Sequence, residues 1–186
     1  MQTITVTSTA PGEGKSTTSA NLAISLAQQD HQVLLIDADM RKPTNHYTFQ
    51  VENRRGLINV LTKLSEAKDV IQETFIENVS IMTSGPIPPN PAELLGSKRM
   101  DWLLQEMMKS YDYVIVDSPP VLAVADAQVL ASKTDAVVLV TSSGKTEKEA
   151  AKKSKDLLLH AGANIAGVVL NRKDKRETQY YYYYGN

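Results

Sequence analysis

Residues 8–17, with the sequence STAPGEGKST, constrain the fold of this chain most strongly, because a glycine-rich turn stands here between two regular segments. Residues 4–7 before the turn are rich in β-branched side chains and suit a buried strand, and residues 17–29 after it have the composition of a helix. Glycines let the backbone approach a ligand closely, and the first turn of the helix adds the positive end of its dipole. The order of strand, turn and helix therefore predicts a site for the phosphates of a nucleotide.

The chemistry of the turn assigns roles to its residues. Lys15 is expected to reach the β- and γ-phosphates, and the Ser16 hydroxyl is expected to hold Mg²⁺. The predicted phosphate-binding loop consists of Pro11, Gly12, Glu13, Gly14, Lys15, Ser16 and Thr17. Thr9 departs from the common pattern GxxxxGK followed by Ser or Thr, because a glycine usually stands there. A glycine turn with an incidental lysine would not explain the strand before it and the helix after it.

Short apolar runs without polar alternation predict parallel strands that are covered on both faces, at residues 33–36, 114–116, 136–140 and 168–170. Longer segments between them predict helices at residues 15–29, 56–64, 97–109, 125–132 and 146–160. Residues 70–74 and 79–82 are further candidate strands. The alternation predicts a three-layer α/β fold with a mostly parallel central sheet flanked by helices, and with ligands at the carboxyl ends of the strands.

Three aspartates follow two of these apolar runs. Asp37 and Asp39 stand two residues apart at the end of one run, and Asp117 ends another where a Walker B acid is expected. A single aspartate at a strand end is commonly a cap, but three of them beside a phosphate loop favour a functional site. We expect Ser16, Asp39 and Asp117 to arrange Mg²⁺. Asp37 is the candidate base for an acceptor proton, or a further Mg²⁺ contact.

Residues 171–174, NRKD, approach the guanine signature Asn-Lys-x-Asp, with Arg172 in the lysine position. A GTPase of that kind would also carry Asp-x-x-Gly, whose glycine senses the γ-phosphate. The corresponding residues here end at Pro120, which has no N–H group to donate. We therefore expect ATP, with Asn171 and Arg172 near the adenine.

Composition limits the remaining function classes. The chain has 186 residues, 42% of them hydrophobic, which predicts one globular domain over residues 1–171 and a flexible tail over residues 172–186. The 20 basic and 21 acidic residues leave a net charge of -1, so no nucleic-acid partner is expected. Cysteine is absent, which excludes disulfides and thiolate metal sites. No apolar run has the length of a membrane span and no signal peptide is present, so we expect a cytoplasmic protein.

The tail holds five of the eight tyrosines of the chain, Tyr180, Tyr181, Tyr182, Tyr183 and Tyr184. A buried strand of five tyrosines would need a partner for every hydroxyl group, so we do not expect them in the core. Two interpretations stay open: an aromatic tail that adheres to a surface, or a cluster of phosphate acceptors. The segment from Arg172 to Tyr180 spans at most roughly 30 Å, so the tyrosines can reach an active site of their own subunit or of a neighbour.

Four segments together resemble the bacterial tyrosine kinases, or BY-kinases, that control capsule and exopolysaccharide synthesis: residues 10–17, 35–43, 116–120 and the tyrosine cluster. Residues 88–95, PPNPAELL, also look like a segment of that family, and the likeness covers nearly the whole chain. The resemblance implies a P-loop NTPase fold related to partition and division-site ATPases. It also implies an ATP- and Mg²⁺-dependent kinase that phosphorylates its own tail tyrosines between subunits of a ring.

The resemblance further implies partners. These are a transmembrane activator, or polysaccharide co-polymerase, that would hold the chain at the inner face of the membrane, and a cognate phosphotyrosine phosphatase. The family usually has an upstream helix with the pattern Glu-x-x-Arg-x-x-Arg, which is absent from this sequence, so we expect a fragment of a longer kinase. In the implied reaction Lys15 and Mg²⁺ stabilise the transferred group, and Arg41 and Lys42 either lie near phosphates or form an exposed basic loop.

Two other functions compete with this one. A partition- or division-type ATPase switch would bind and release protein partners without kinase activity, but such proteins carry a second lysine early in the loop, where this chain has Ala10. The switch would also leave the tyrosines unexplained. A chain-length regulator that merely binds ATP is the third alternative, and phosphate transfer to the tail would exclude it.

Overall fold

The computed structural model describes residues 1–173, and its centre is a seven-stranded sheet. The strands are β1 Thr3–Ser8, β2 Val33–Asp37, β3 Ile71–Glu73, β4 Val79–Met82, β5 Tyr113–Asp117, β6 Ala136–Ser142 and β7 Ile165–Asn171. Their spatial order is β3-β4-β2-β5-β1-β6-β7. Neighbouring strands are parallel except for the antiparallel pair of β3 and β4. The predicted mostly parallel sheet is confirmed.

The helices of the described residues are α1 Lys15–Ala27, α2 Asn45–Phe49, α3 Leu57–Leu61, α4 Pro91–Gly96, α5 Lys98–Met107, α6 Asp126–Ala131 and α7 Lys148–His160. Five of them match predicted helices and are shorter at one or both ends. Pro91 opens α4, a position where its missing N–H group costs nothing. Helix α2 was not predicted, because five residues are too few to show a helical period.

Side chains of the central strands alternate between two helical layers. Leu34 and Ile36 face a core built with α3, α4, α5 and α6. Val33 and Leu35 face the opposite core, which is built largely with α1. Because α1 presents small residues such as Ala20 and Ala23 to the sheet, it packs closely on the strand that precedes it. This arrangement confirms the three layers predicted from the sequence.

The last apolar run does not occupy the buried position predicted for it. Among the described strands, β7 lies at the edge of the sheet beside β6, and Val168, Val169 and Leu170 are 60%, 37% and 54% exposed. The prediction of cover on both faces was wrong. An apolar run indicates that a strand forms, but it does not say whether other elements cover both of its faces.

Parallel pairing gathers the predicted functional residues at one edge of the sheet. In the pairing of β2 with β5, Asp37 stands opposite Asp117. The phosphate-binding loop follows β1, which is the other neighbour of β5. The carboxyl ends of three adjacent strands therefore meet at the start of α1. No helix within residues 1–173 is long and apolar enough to cross a bilayer.

The packing of α5 on the sheet predicts unequal effects of two leucine truncations. Leu103→Ala should lower the free energy of unfolding by about 3 kcal/mol, because the side chain is fully buried and its removal leaves a cavity. Leu64→Ala, at a site that is 76% exposed, should change it by less than about 0.5 kcal/mol. Urea denaturation of both variants measures the difference, and equal losses would contradict the core described here.

Candidate active site

The loop between β1 and α1 has a backbone that suits glycine at two positions. Gly12 and Gly14 have φ angles of +76° and +97°, which side chains rarely adopt. A Cβ atom on Gly14 would also collide with the side-chain amide of Asn171. Since α1 begins at Lys15, the amides of its first turn are free to face a ligand. The loop therefore has the form of the predicted phosphate cradle.

A cavity of about 480 Å³ opens in front of this loop. Its lining comes from the ends of four strands and consists of Pro11, Gly12, Gly14, Lys15, Ser16, Thr17, Asp39, Arg41, Lys42, Thr44, Pro119, Pro120, Ala123, Val124 and Arg172. Most of the residues predicted to bind nucleotide and metal thus line one cavity.

Lys15 is the cation at the centre of the site. Its Nζ atom lies 2.8 Å from Asp39 Oδ2 and 3.6 Å from Asp117 Oδ2, and it donates a hydrogen bond of 3.1 Å to Ser16 Oγ. Burial acts to lower the pKa of Lys15, but the carboxylates of Asp117 and Asp39 outweigh it and raise the pKa above the ordinary value. Lys15 is therefore charged at neutral pH and holds together the three residues predicted to arrange Mg²⁺.

Asp117 is fully buried and depends on two partners that sequence reasoning missed. Its Oδ1 atom accepts a hydrogen bond of 3.1 Å from Ser19 Oγ, and its Oδ2 atom accepts one of 2.8 Å from Asn45 Nδ2. Burial raises the pKa of Asp117 in spite of these bonds. Neither partner belongs to a motif, because each is recruited from a helix by folding, so the sequence contained no signal for them.

Asp37 occupies a different position from Asp39. It is fully buried, and its Oδ2 atom accepts hydrogen bonds from the backbone amides of Thr44 at 3.2 Å and Asn45 at 3.1 Å. Burial, reinforced by the neighbouring carboxylate of Asp117, raises the pKa of Asp37 to about 7. Asp39 lines the cavity, whereas Asp37 lies behind the lining and organises the turn that follows β2.

Of the two basic residues after β2, Arg41 and Lys42, Arg41 forms an ion pair. Arg41 donates from Nε at 2.9 Å and from Nη2 at 3.1 Å to the two carboxylate oxygens of Asp126, which is fully buried at the start of α6. This bidentate contact raises the pKa of Arg41 and joins the turn after β2 to the segment after β5. Both Arg41 and Lys42 line the cavity. The sequence contained no signal for Asp126.

Glu13, at a variable position of the loop pattern, points into the protein rather than toward the cavity. Its buried carboxylate accepts hydrogen bonds from the Ala10 amide at 3.0 Å and from the Thr146 hydroxyl group. Its carbonyl oxygen accepts a hydrogen bond of 3.0 Å from Asn171 Nδ2. Glu13 and Asn171 therefore fix the loop backbone without lining the cavity. Arg172, the next residue along the chain, lines the cavity itself.

A second lysine reaches the loop from the connection between β6 and α7. Lys145 Nζ donates a hydrogen bond of 3.1 Å to the Pro11 carbonyl oxygen. It also lies 3.1 Å from the place that a Cβ atom on Gly12 would occupy. A switch ATPase was expected to carry its second lysine at the position of Ala10, and Lys145 was not predicted because it is distant in sequence. The predicted acceptors Tyr180, Tyr181, Tyr182, Tyr183 and Tyr184 lie outside the described residues.

Comparison with known proteins identifies the family. A family model described as an AAA domain matches residues 1–157. Tyrosine-protein kinase YwqD of Bacillus subtilis (strain 168) is 52% identical over 185 residues, which cover 100% of this chain and 78% of YwqD. The chain belongs to the bacterial tyrosine kinases. Both the family and the enzyme class predicted from the sequence, protein-tyrosine kinase, are thereby confirmed.

Solved structures that match this chain include the kinase domain of a bacterial tyrosine kinase. The kinase domain of Escherichia coli tyrosine kinase ETK matches with a TM-score of 0.89 and 39% identity, over 94% of this chain and 69% of that one. The cell division ATPase MinD of Pyrococcus furiosus matches with a TM-score of 0.78 and 24% identity, over 93% and 74% of the two chains, which shows the fold alone. The predicted P-loop fold, shared with division ATPases and suited to nucleotide binding, is confirmed for this kinase.

The raised pKa of Asp37 predicts a pH dependence of stability. Its folded-state pKa of about 7 lies above the ordinary value of 3.8, so the folded state binds the proton more tightly. The resulting stabilisation is present below the ordinary pKa and is lost as the pH rises through 7. Asp37→Asn removes this titration, so its free energy of unfolding should fall less between pH 5 and pH 7.5, by about 1 kcal/mol or more.

Urea denaturation at both pH values measures this difference. Asp69→Asn, at an exposed position, is the matched control and should follow the wild type at each pH. Parallel curves for the wild type and Asp37→Asn would contradict the raised pKa.

Proposed function

We propose that this bacterial tyrosine kinase transfers the γ-phosphoryl group of ATP to its own tail tyrosines, Tyr180, Tyr181, Tyr182, Tyr183 and Tyr184, between subunits. One observation carries the proposal: Lys15 Nζ, the Ser16 hydroxyl group and the Asp39 carboxylate meet in one cavity, with Asp117 bound to the same lysine. A cation, a hydroxyl group and carboxylates beside a glycine loop are the groups that a metal-bound triphosphate needs.

In the proposed reaction the phenolic oxygen of a tail tyrosine forms a bond to the γ-phosphorus. The bond from that phosphorus to the β–γ bridging oxygen breaks, and ADP leaves with its electron pair. Lys15 and the loop amides stabilise the negative charge on the transferred group. Because a free tyrosine has a pKa of about 10, its proton must be removed during the attack.

The oxygen ligands of the site fit Mg²⁺, the ion proposed to accompany ATP. Ser16 and Asp39 line the cavity with hydroxyl and carboxylate oxygens, which Mg²⁺ prefers. Asp117 is buried, and to bind the metal it would have to release one of its partners, Ser19 or Asn45. Within residues 1–173 no group of three or more His, Cys, Asp or Glu side chains is placed to hold a metal ion, so phosphate and water oxygens must complete this site. Mg²⁺ would neutralise charge on the phosphates when bound. We propose that Lys15 then turns from the carboxylates toward the phosphates.

We propose Asp37 as the acceptor of the tyrosine proton, because its pKa of about 7 suits a general base at neutral pH. To reach the cavity, Asp37 must release the amides of Thr44 and Asn45. Asp39 lines the cavity without such a change, which supports its proposed role beside the metal. These two positions make the roles of the aspartates separable by experiment.

We propose that Asn171 and Arg172 lie near the adenine. Arg172 lines the cavity after β7, and Asn171 contacts the phosphate-binding loop directly. A guanidinium group can stack on a purine ring, which suits Arg172 to this role.

Further parts of the proposal concern regulation and partners. We propose that tail phosphorylation regulates the synthesis or export of capsule or exopolysaccharide. The partners proposed are other copies of the chain in a ring, a transmembrane activator at the inner face of the membrane and a phosphotyrosine phosphatase, with no nucleic acid. Each phosphotyrosine adds about 1.5 to 2 negative charges, so adjacent ones repel one another and the acidic site. Phosphorylation should therefore weaken the docking of the tail.

Incubation with Mg²⁺ and γ-labelled ATP, followed by mass spectrometry of the C-terminal peptide, tests the kinase proposal. The wild type should carry phosphate on the tail, and Lys15→Met should abolish the signal because the triphosphate loses its cation. Replacement of Tyr180, Tyr181, Tyr182, Tyr183 and Tyr184 by Phe should remove most of it. Steady ATP hydrolysis with an unmodified tail would contradict the proposal and favour the ATPase switch.

Paired variants test the roles of the aspartates. Asp37→Asn should lower kcat at pH 7 by about 100-fold or more, because a general base contributes that much, and should leave the Mg²⁺ requirement unchanged. Asp39→Asn should raise the Mg²⁺ concentration needed for half-maximal rate. Titration of Mg²⁺ in the transfer assay measures both effects. A shifted Mg²⁺ requirement in Asp37→Asn would assign that residue to the metal instead.

A further inference from the structure

We infer that the segment after β5 forms the binding subsite for the acceptor ring, with Pro119, Pro120, Ala123 and Val124 contacting the phenol group of the incoming tyrosine. This inference rests on the proposed transfer of phosphate to tyrosine, and it states which surface selects that side chain.

The lining of the cavity divides into a polar wall and an apolar wall. The polar wall carries the phosphate-binding residues together with Asp39, Arg41, Lys42 and Thr44. The apolar wall consists of Pro119, Pro120, Ala123 and Val124. A triphosphate gains nothing from an apolar surface, whereas a planar ring gains from burial against one. The apolar wall therefore fits one of the two rings in the reaction, the adenine of ATP or the phenol of the acceptor.

The order of the strands distinguishes these two rings. Strand β1, which leads into the phosphate-binding loop, has β5 on one side and β6 followed by β7 on the other. Arg172, proposed to lie near the adenine, follows β7, whereas Pro119 and Pro120 follow β5. In phosphoryl transfer the attacking and leaving oxygens lie roughly in line, so the acceptor approaches from the side opposite to ADP. The β5 side, and with it the apolar wall, is therefore the acceptor side.

The apolar wall is held in place by the end of β1. Thr7 Oγ1 donates a hydrogen bond of 2.8 Å to the Pro119 carbonyl oxygen. The Val121 amide donates one of 2.8 Å to the Ser8 carbonyl oxygen. Two successive prolines restrict the backbone further. A surface already fixed in this way binds a ring without the cost of ordering itself.

The ion pair of Arg41 with Asp126 sets the distance between the two walls. Arg41 comes from the turn that carries Asp39, and Asp126 follows Val124 by two residues. Because the contact is bidentate and Asp126 is fully buried, it ties these segments together at a defined separation. The inferred position of the ring is between these segments, with its hydroxyl group toward Asp39 and Lys15, which belong to the same site.

Steady-state kinetics with a synthetic peptide of residues 174–186 as acceptor tests the subsite. In the full chain, Val124→Asn should raise KM for the peptide by about tenfold or more, because a polar side chain replaces the apolar contact. KM for ATP should stay within about twofold of the wild type. Val124→Ile keeps an apolar side chain at this position, so its KM for the peptide should stay close to that of the wild type. Leu122→Asn is the matched control, because Leu122 is 37% exposed and belongs to the same segment but not to the cavity lining.

The outcomes separate this inference from the proposed function. A rise in KM for ATP with an unchanged peptide KM would assign the apolar wall to adenine and overturn the inference. Unchanged values for both substrates in Val124→Asn would overturn it as well, and so would equal effects of Val124→Asn and Leu122→Asn. If the wild type phosphorylates neither its tail nor the peptide, the proposed function fails and the inference fails with it. Thermal unfolding of each variant shows that the fold is intact.

Discussion

The contact of Lys15 with Asp39 and Asp117 is the interaction on which the rest of the site depends. Asp117 is fully buried and stands opposite Asp37 on the next strand, so two carboxyl groups share a poorly solvated region. Without a nearby cation, a buried carboxylate costs several kcal/mol and tends to take up a proton instead. Lys15 reaches both Asp39 and Asp117 because α1 begins directly at the carboxyl ends of β1 and its neighbours. Lys15 thus offsets part of the cost of burying Asp117 at the place where a metal-bound triphosphate is proposed to bind.

Connections on both sides of β1 in the sheet support this centre. On one side, Lys145 and Asn171 contact the carbonyl groups of the phosphate-binding loop, and on the other, Arg41 and Asp126 join the turn after β2 to α6. Each contact links residues that are far apart in the chain. The fold shared with a division ATPase therefore supplies the loop proposed to bind phosphate, and these long-range contacts hold that loop in place.

The residues predicted from the sequence are those that belong to local patterns. Lys15 and Ser16 follow a glycine turn, and Asp39 and Asp117 follow apolar runs, so short segments carried the signal. Residues that act through a tertiary contact were missed, and these were Ser19, Asn45, Asp126, Lys145 and Thr146. The predicted burial of residues 168–170 was wrong for the same reason, since cover on the faces of a strand depends on elements that are distant in sequence.

The sequence by itself determined the α/β class, the phosphate-binding loop and the presence of three aspartates near it. Each of these features depends on residues within a segment of about ten positions. The tertiary structure alone decided that Asp39 faces the cavity while Asp37 lies behind it, bound by backbone amides. It also decided that Pro119, Pro120, Ala123 and Val124 line the same cavity as the charged residues. These outcomes depend on strand order and on contacts across the sheet, which bring together residues about 80 to 130 positions apart. A short segment of sequence therefore does not predict these contacts.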